Sequence, residues 1–427
     1  MDKELSGLKF PLSRITRNRR RRIFVNPQVM SANPVPPKPE ISFDNTAIAF
    51  SRASDVELRK SRWLFRLMGN PALVDIGAHF TKLAFKVGLP VKTLVKKTIY
   101  AHFCGGESLQ ETLPTVDHLS RFGVNTILDY GVEGKESEQE FARAMTEQLN
   151  AIKFADEQSA VPYISCKITA YARFELLTAL NDGEELSMQQ LRELQALKDR
   201  LITICDAAVA SDVAVYIDAE ESWIQDGIDD LVEELMQVYN QKKATVFNTV
   251  QLYRHDRLEF LKESHRKAQE EGYILAVKLV RGAYMEKERE RARRKGYPSP
   301  IQPDKEACDR DFDLAVEYCL DHVDEIAFCA ATHNEHSCLV LAQQALARRV
   351  DPTHPNIHFA QLYGMSDHIS FNLAKIGFNA SKYVPYGPVK DVIPYLIRRA
   401  EENSSVAGQM GRELSLIEEE IDRRGMR

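Results

Sequence analysis

Short apolar runs alternate with longer amphipathic stretches over most of the chain after residue 123. The runs are rich in β-branched residues and predict buried strands, while the stretches between them predict helices. The clearest helical stretch repeats its apolar residues on one face, at Leu191, Leu194, Leu197, Leu201 and Ile204. The predicted strands are Val124–Tyr130, Ile164–Ala170, Val213–Asp218, Val246–Tyr253, Ile274–Val280, Ile326–Thr332, Ile357–Leu362 and Ser381–Pro385. Repeated strand-helix units of this kind predict a parallel sheet.

Eight strands, each followed by a helix, are predicted to close into a barrel. An open doubly wound sheet usually has fewer strands, and no Gly-x-Gly-x-x-Gly fingerprint follows the first strand. We therefore predict an α/β fold, a (β/α)8 barrel of the TIM type. In such a barrel the functional residues lie at the carboxyl ends of the strands.

The residues before the barrel have a different pattern. Residues 1–45 are basic and then rich in proline, which predicts a disordered tail. Residues 46–122 predict an N-terminal helical arm, and residues 123–427 the catalytic barrel domain. The arm has two apolar faces, one formed by Leu58, Trp63, Leu64, Leu67 and Met68 and the other by Ile76, Phe80, Leu83 and Ala84.

Composition narrows the class of protein. The chain has 427 residues, 44% of them hydrophobic, so it can bury a large core. The net charge is -6, and positive and negative residues are mixed along the chain, so the sequence does not indicate a basic surface for binding nucleic acid. The seven cysteines form no CxxC pair, which favours a reducing compartment.

The sequence leaves two cellular locations open. No run reaches the roughly 18 apolar residues of a membrane span, and no secretory signal is present. We therefore expect a cytoplasmic protein, free or peripheral at the inner membrane. The alternative is the mitochondrial matrix, because Arg14, Arg17 and the run Arg19–Arg22, with few acids, are typical of a transit peptide.

Polar residues cluster at the predicted strand ends and on the last helix. A barrel mouth lined in this way suits an anionic substrate and an anionic cofactor, because guanidinium groups match carboxylates bidentately. The residues are Asp129, Lys167, Asp218, Glu220, Glu221, Gln251, Lys278, Arg281, Thr332, His333, Asn334, Gln361, Tyr383, Arg398 and Arg399.

Several of these residues lie in motifs of one known family. The run Val277–Tyr284 resembles the fifth-strand signature of proline dehydrogenases, and Tyr383–Gly387 through Tyr395–Arg399 and Glu402–Asn403 resembles their closing strand and helix. Supporting matches are Lys167–Ala170, Ile217–Glu221, Gln251–Tyr253, Ala331–Asn334 and Gln361–Met365. The matches occur in order over residues 124 to 403, which makes coincidence a poor explanation.

The resemblance implies an activity and partners. A proline dehydrogenase holds FAD at the barrel mouth and oxidises L-proline to 1-pyrroline-5-carboxylate by hydride transfer to the flavin, the first step of proline catabolism. A membrane quinone then reoxidises the flavin. The chain ends soon after the barrel, so a separate pyrroline-carboxylate dehydrogenase is expected to act on the product.

The resemblance also assigns roles to residues around the substrate. Arg398 and Arg399 would grip the substrate carboxylate, with Lys167 as a third cation. Tyr284, Tyr383, Leu279 and Leu362 would enclose the ring, and Asp218 would lie in the same pocket. Tyr383 leaves no room for an added hydroxyl group, so proline is expected to be preferred to hydroxyproline.

The expected cofactor contacts come from the ends of the fourth to sixth strands and from the last helix. They are Gln251, Lys278, Val280, Gly282, Ala283, Thr332, His333, Asn334 and Glu402. Lys278 would stabilise the negative charge of the reduced flavin. Many relatives have arginine at this position and tryptophan in place of Met285. Gly282 would let the backbone approach the cofactor closely.

Other readings of the same residues remain open. Lysines on barrel strands also suit a Schiff-base lyase, and a barrel without activity could serve as a scaffold. Arg398 and Arg399 alone could be a charged helix surface. His333 and His336 lack converging acids or cysteines, so no metal is expected. The charged segment Glu286–Arg294 could be a solvated helix face or a contact with an anionic membrane.

Overall fold

The computed structural model describes residues 41–70, 72, 74, 77, 92–131, 136–405 and 407–426, and it describes the backbone alone within residues 400–410. Most of the predicted tail, the predicted face of Ile76, Phe80, Leu83 and Ala84, and the side chain of Glu402 lie outside these residues. The predicted domain boundaries therefore remain predictions.

Eight parallel strands form a closed barrel in sequence order, and β8 pairs with β1 to complete it. The closing pair runs in register from Val124 opposite Ala380 to Tyr130 opposite Tyr386. The strands are β1 Val124–Tyr130, β2 Tyr163–Cys166, β3 Ala214–Ile217, β4 Val246–Gln251, β5 Leu275–Val280, β6 Ile326–Ala331, β7 Ile357–Leu362 and β8 Ala380–Tyr386. The predicted (β/α)8 barrel is confirmed.

The second predicted strand is shorter than expected. It ends at Cys166, and Ile168–Ala170 form a 3-10 turn in which Ala170 N–H donates to Lys167 O at 3.1 Å. The backbone N–H of Thr169 donates to the buried Glu220 carboxylate at 3.1 Å. Because this N–H bonds to a side chain, it is not available to pair with a neighbouring strand.

Helices precede, surround and follow the barrel. Among the described residues they are α1 Thr46–Ala49, α2 Asp55–Met68, α3 Lys92–Val95, a π-helix Lys96–Tyr100, α4 Ala101–Phe103, α5 Leu109–Ser120, α6 Glu138–Asp156, α7 Phe174–Asn181, α8 Met188–Ala210, α9 Ser222–Tyr239, α10 Arg257–Glu271, α11 Met285–Lys295, α12 Lys305–Asp321, α13 Glu335–Ala347, α14 Asp367–Ile376, α15 Val389–Ser405 and α16 Ala407–Arg423. Helix α8 begins with a capping box of Ser187 and Gln190 and buries Leu197, Leu201 and Ile204 as predicted. Within the described ranges, no helix combines the length and apolar character that crossing a membrane requires.

The strands divide the core into two layers because successive side chains point to opposite faces. The outer layer, between strands and helices, contains Val277 and Leu279 of β5. Inside the barrel, an aromatic cluster lies at the end where the strands begin. We call this cluster the barrel floor, and it consists of Tyr163, Tyr216, Phe247 and His358.

A further core joins residues before the barrel to residues after it. Leu58, Phe65 and Met68 of α2 belong to the same buried cluster as Leu396 of α15 and Ile417 of α16. The predicted apolar face of α2 is partly wrong: Trp63 and Leu67 are 56% and 36% exposed, and Phe65 is buried instead. The helix turns this other face to the core because α15 and α16 supply its apolar partners.

Candidate active site at the barrel mouth

Four polar side chains meet inside the barrel where the strands end, and we call them the barrel mouth. Lys167 follows β2, Asp218 follows β3, Lys278 lies on β5 and Tyr383 lies on β8. Asp218 accepts hydrogen bonds from Lys278 Nζ, from Lys167 Nζ at 3.2 Å and from the Tyr383 hydroxyl at 3.3 Å. Lys278 Nζ also donates to the Tyr383 hydroxyl at 2.8 Å. Residues distant in sequence thus form one hydrogen-bonded group.

The ionisation of the barrel mouth follows from this arrangement. Burial raises the pKa of Asp218, but the adjacent Lys278 and Lys167 ammonium groups outweigh that effect and lower it overall. Burial, together with the charge of Asp218, holds the pKa of Tyr383 well above its usual value. The mouth therefore combines a carboxylate with a neutral phenol at neutral pH.

Lys278 is also held by aromatic rings. Its Nζ lies 4.8 Å from the ring centroid of Tyr383 and 5.9 Å from that of Tyr216. Both distances are in the range of cation–π attraction. The side chain is therefore oriented from below by the barrel floor and from the side by Tyr383.

Helix α15 brings Arg398 and Arg399 to the ends of β5 and β6. The guanidinium carbon of Arg398 lies 5.9 Å from the ring centroid of Tyr284, two residues after Gly282. The charge of Arg399 acts on His333, which follows β6. Two cations from the last helix of the barrel thus reach the end of the barrel where Lys167 and Lys278 lie.

The segment after β6 contains three of the predicted cofactor residues. Thr332 Oγ1 accepts from Arg281 Nη1 at 2.7 Å and from Asn334 N–H at 3.0 Å, and Asn334 Oδ1 accepts from Ser337 N–H at 3.1 Å, which caps α13. The side chains of Thr332 and Asn334 are therefore used to build the turn. Burial lowers the pKa of His333 to about 3, and neighbouring cations add to the effect, so the imidazole is neutral.

Gln251, at the end of β4, offers a buried acceptor. Its Nε2 donates to the backbone oxygen of Glu220 at 3.0 Å, while its Oε1 receives no hydrogen bond from the described residues. An amide oxygen left in this way is costly unless a ligand supplies a donor. Gln251 thus fits a cofactor that carries N–H groups, and the imide N–H of a flavin ring is one.

The turn after β5 exposes backbone toward the same end of the barrel. Gly282 has a φ of +133°, and a Cβ there would lie 2.5 Å from the Tyr253 ring. Glycine is therefore required at this position. Gly282 and Ala283 are exposed and Val280 is half-buried, so their backbone is accessible to a ligand.

Leu362 and Leu279 were both predicted to line the substrate pocket, but they lie on opposite sides of the barrel wall. Leu362, at the end of β7, is half-buried and packs against the cluster that contains Tyr383. Leu279 is fully buried in the outer layer, because it alternates with Lys278 along β5. The structure does not bring Leu279 to the barrel mouth.

Three further residues support the site, although none of them was predicted from the sequence to bind substrate or cofactor. Glu220 accepts from Thr169 Oγ1 at 2.6 Å, and burial raises its pKa to about 7. Arg281 binds Asp309 at 2.7 Å and Thr332. Ser366 contacts His333, with 2.9 Å between Oγ and Nδ1. Glu220 and Arg281 could be found as polar residues at strand ends, whereas nothing in the sequence around Ser366 indicates its contact.

One group of possible metal ligands occurs among the described residues, away from the mouth. The ligand atoms of His265, His322 and Glu325 lie within 4.8 Å of one another, and Glu325 immediately precedes β6, so the group lies where the strands begin. His265 is already bonded through Nδ1 to Tyr318 at 2.8 Å and through Nε2 to Glu325 at 2.9 Å. That the activity needs no metal stays a prediction.

Comparison with known proteins identifies relatives over most of the chain. The family described as "Proline dehydrogenase" matches residues 112–412. The carbapenem antibiotics biosynthesis protein CarD of Pectobacterium carotovorum subsp. carotovorum is 34% identical over 75% of this chain and 83% of its own. Mitochondrial proline dehydrogenase 2 of Arabidopsis thaliana is 30% identical over 94% of each chain. Hydroxyproline dehydrogenase of Bos taurus is 31% identical over 90% of this chain and 93% of its own.

Solved structures share the fold. Proline utilization A from Bdellovibrio bacteriovorus, inactivated by N-propargylglycine, matches with a TM-score of 0.68 and 21% identity. The match covers 87% of this chain but 40% of that one, so it compares one part of a longer protein. The family match covers more than half of the chain. The chain therefore belongs to the proline dehydrogenase family of oxidoreductases.

Proposed function

We propose that this protein oxidises L-proline to 1-pyrroline-5-carboxylate with FAD as the hydride acceptor, as the first step of proline catabolism. The observation that carries the proposal is the joining of Lys167, Lys278 and Tyr383 through Asp218 at the barrel mouth. Family membership supports the reaction class, and the geometry supports the place where it occurs.

The substrate is a small zwitterion, and its carboxylate must be fixed before its ring can be oriented. Arg398 and Arg399 supply guanidinium groups for this task, and Lys167 supplies an ammonium group. Tyr284, within 5.9 Å of the Arg398 guanidinium, encloses the ring together with Tyr383 and Leu362 and keeps water away from the reacting carbon. Asp218 holds Lys167 in position to bind the carboxylate and Tyr383 in position to enclose the ring.

The residues around the mouth fit a flavin. Gln251 Oε1 would accept from the ring's N–H group, the backbone of Val280, Gly282 and Ala283 would approach the cofactor, and His333 and Thr332 would contribute to the same site. FAD, when bound, takes up the hydride and later passes the electrons to a membrane quinone. Lys278 places a positive charge beside the cofactor, which favours the reduced, negatively charged form.

The choice of substrate depends on Tyr383. The relatives include a hydroxyproline dehydrogenase, so a hydroxylated ring is the second candidate substrate. The Tyr383 hydroxyl is held by Lys278 and Asp218, and its ring cannot swing aside without breaking both bonds. The mouth therefore favours proline, and Tyr383→Ser is expected to raise the ratio of kcat/KM for hydroxyproline to that for proline.

The partners and the location follow from the reaction. The cyclic imine product is the substrate of a pyrroline-carboxylate dehydrogenase. Electron transfer to a quinone requires contact with a membrane surface. The mitochondrial names of several relatives favour the matrix over the cytoplasm.

The test is an anaerobic titration of the purified protein with L-proline while the flavin absorbance is recorded. We expect a yellow protein whose visible flavin absorbance bleaches in proportion to the proline added. A colourless protein that borohydride links covalently to a ketone or aldehyde would instead identify a Schiff-base lyase. A protein that binds neither flavin nor proline would overturn both activities.

A further inference from the structure

The turn between β7 and α14 is held in a strained conformation next to the cofactor residues. Ser366 is fully buried and has a φ of +52°, a backbone angle that residues other than glycine rarely adopt. Such a conformation persists only where the surroundings enforce it, and strained residues concentrate at functional sites. The contacts of Ser366 show what enforces it here.

Ser366 joins a C-terminal helix to His333. Its backbone N–H donates to Glu413 Oε1 at 2.7 Å, and its Oγ lies 2.9 Å from His333 Nδ1. Glu413 belongs to α16 and is 4% exposed. A carboxylate outside the barrel is thus connected, through one serine, to an imidazole at the end of β6.

Buried charges fix the same turn from its other side. Lys382 points outward from β8 and is fully buried, with its Nζ 2.9 Å from Asp367 and bonded to the backbone oxygen of Met365. Arg52 binds the second oxygen of Asp367 at 2.7 Å. Residues from before the barrel, from β8 and from α16 therefore converge on Met365–Asp367.

A close backbone contact completes the arrangement. Gly364 has a φ of +80°, and a Cβ there would lie 2.3 Å from the backbone oxygen of His102. The ring of His102 bonds to the Gly364 oxygen at 2.8 Å. The turn thus has little freedom to move, and Ser366 can act as a fixed support for its neighbour.

We propose that Glu413 is a positioning residue that acts through Ser366 to orient the imidazole of His333 toward the bound flavin dinucleotide. The inference rests on the function proposed above, in which His333 contacts FAD. A partner that fixes a ligand-binding ring from behind has a measurable effect on affinity, often tenfold or more, although it never touches the ligand. The helix α16 is thereby part of the cofactor site.

The test measures the dissociation constant of FAD from the full-length apoprotein by flavin fluorescence. Glu413→Ala is expected to weaken FAD binding about tenfold, and Glu413→Gln, which retains an acceptor oxygen, less than about threefold. The matched control is Glu420→Ala. Glu420 is a fully buried glutamate on the same helix, and its hydrogen bonds go to Arg423 and Arg424 instead of the turn. FAD affinity should be retained in this variant even where stability falls.

A double-mutant cycle separates positioning from general destabilisation. If Glu413 acts through His333, Glu413→Ala should weaken FAD binding little or not at all when His333→Ala is already present. Ser366→Ala keeps Glu413 and the backbone angle but removes the contact to His333, and it replaces Glu413→Ala if that variant does not fold. Equal losses in Glu420→Ala, or additive losses in the cycle, would overturn the inference. If the wild-type protein binds no FAD, the proposed function itself fails.

Discussion

The two ends of the barrel interior are filled by side chains of different character, with neutral aromatic groups at one end and ion pairs at the other. At the barrel floor, the Tyr163 hydroxyl lies 2.7 Å from His358 Nδ1, His358 Nε2 bonds to the Pro355 oxygen at 2.7 Å, and Phe247 meets Tyr216 edge-on at 4.8 Å. Burial lowers the pKa of His358 to about 4, so the floor is neutral. The barrel mouth instead surrounds the Asp218 carboxylate with two lysines and the neutral phenol of Tyr383.

The difference shows what each end contributes. Neutral aromatic groups can be buried with little desolvation cost, whereas buried ion pairs often stabilise no more than apolar residues of the same size. The floor therefore stabilises the barrel, whereas in the proposed function the charges of the mouth serve to bind substrate and cofactor. Stability and activity should be separable by substitutions at the two ends.

The largest effect is expected at the floor. Phe247→Ala removes a ring that is 2% exposed and leaves a cavity inside the barrel. The closed barrel limits how far the neighbouring side chains can fill this cavity, so the free energy of unfolding should fall by about 3–5 kcal/mol. Chemical denaturation measures this loss, and kcat/KM for proline, corrected for the folded fraction, should stay close to wild type. A loss of kcat/KM beyond about tenfold would contradict the separation of roles.

A buried carboxylate beside the mouth should make stability depend on pH. Burial raises the pKa of Glu220 from 4.5 to about 7. Protonated Glu220 therefore stabilises the folded protein fully below pH 4.5. This stabilisation, about 3 kcal/mol, is lost as the pH rises through 7 and the side chain ionises. Glu220→Gln should flatten this part of the dependence when unfolding is measured between pH 5 and 8, approximately the range over which Glu220 ionises. An unchanged slope would show that Glu220 does not cause it.

The mouth is tested by matched substitutions of two aspartates that pair with cations, the partly buried Asp218 and the buried Asp229. Asp218→Asn weakens the attachment of both lysines and should lower kcat/KM about 100-fold, or about 2–3 kcal/mol. Asp229, which binds Arg257 at 2.6 Å in the outer layer, supplies the control. Asp229→Asn should reduce stability and leave kcat/KM of the folded protein unchanged. Equal kinetic losses in both variants would show that charge burial, not position, matters.

The smallest effects come from removing one hydroxyl at each end. Tyr163→Phe should lower the free energy of unfolding by about 1 kcal/mol with unchanged kinetics, because its partner is His358. Tyr383→Phe should lower kcat/KM by about fivefold with a smaller change in stability, because its partners are Lys278 and Asp218. The comparison would be broken if Tyr163→Phe altered the kinetics more than Tyr383→Phe.

Local pattern determined most of the fold. Seven of the eight predicted strands contain an observed strand or lie within one, because short β-branched runs between amphipathic helices leave few alternatives. The remaining prediction, Ile164–Ala170, overlaps β2 only at Ile164–Cys166. The strand ends also indicated the positions of Lys167, Asp218, Lys278 and Tyr383. Their meeting point follows from barrel closure, which the count of strands predicted.

Only the tertiary structure decided which of a strand's two alternating faces turns into the barrel and what holds each side chain there. Lys382 and Tyr383 are adjacent, yet one is buried among the helices and the other lies in the mouth, and Leu279 faces away from Lys278. The contact from Glu413 through Ser366 to His333 joins three elements far apart in sequence. Hydrophobic periodicity depends on neighbours along the chain and therefore predicts elements, whereas these contacts depend on how distant elements pack, which no local pattern encodes.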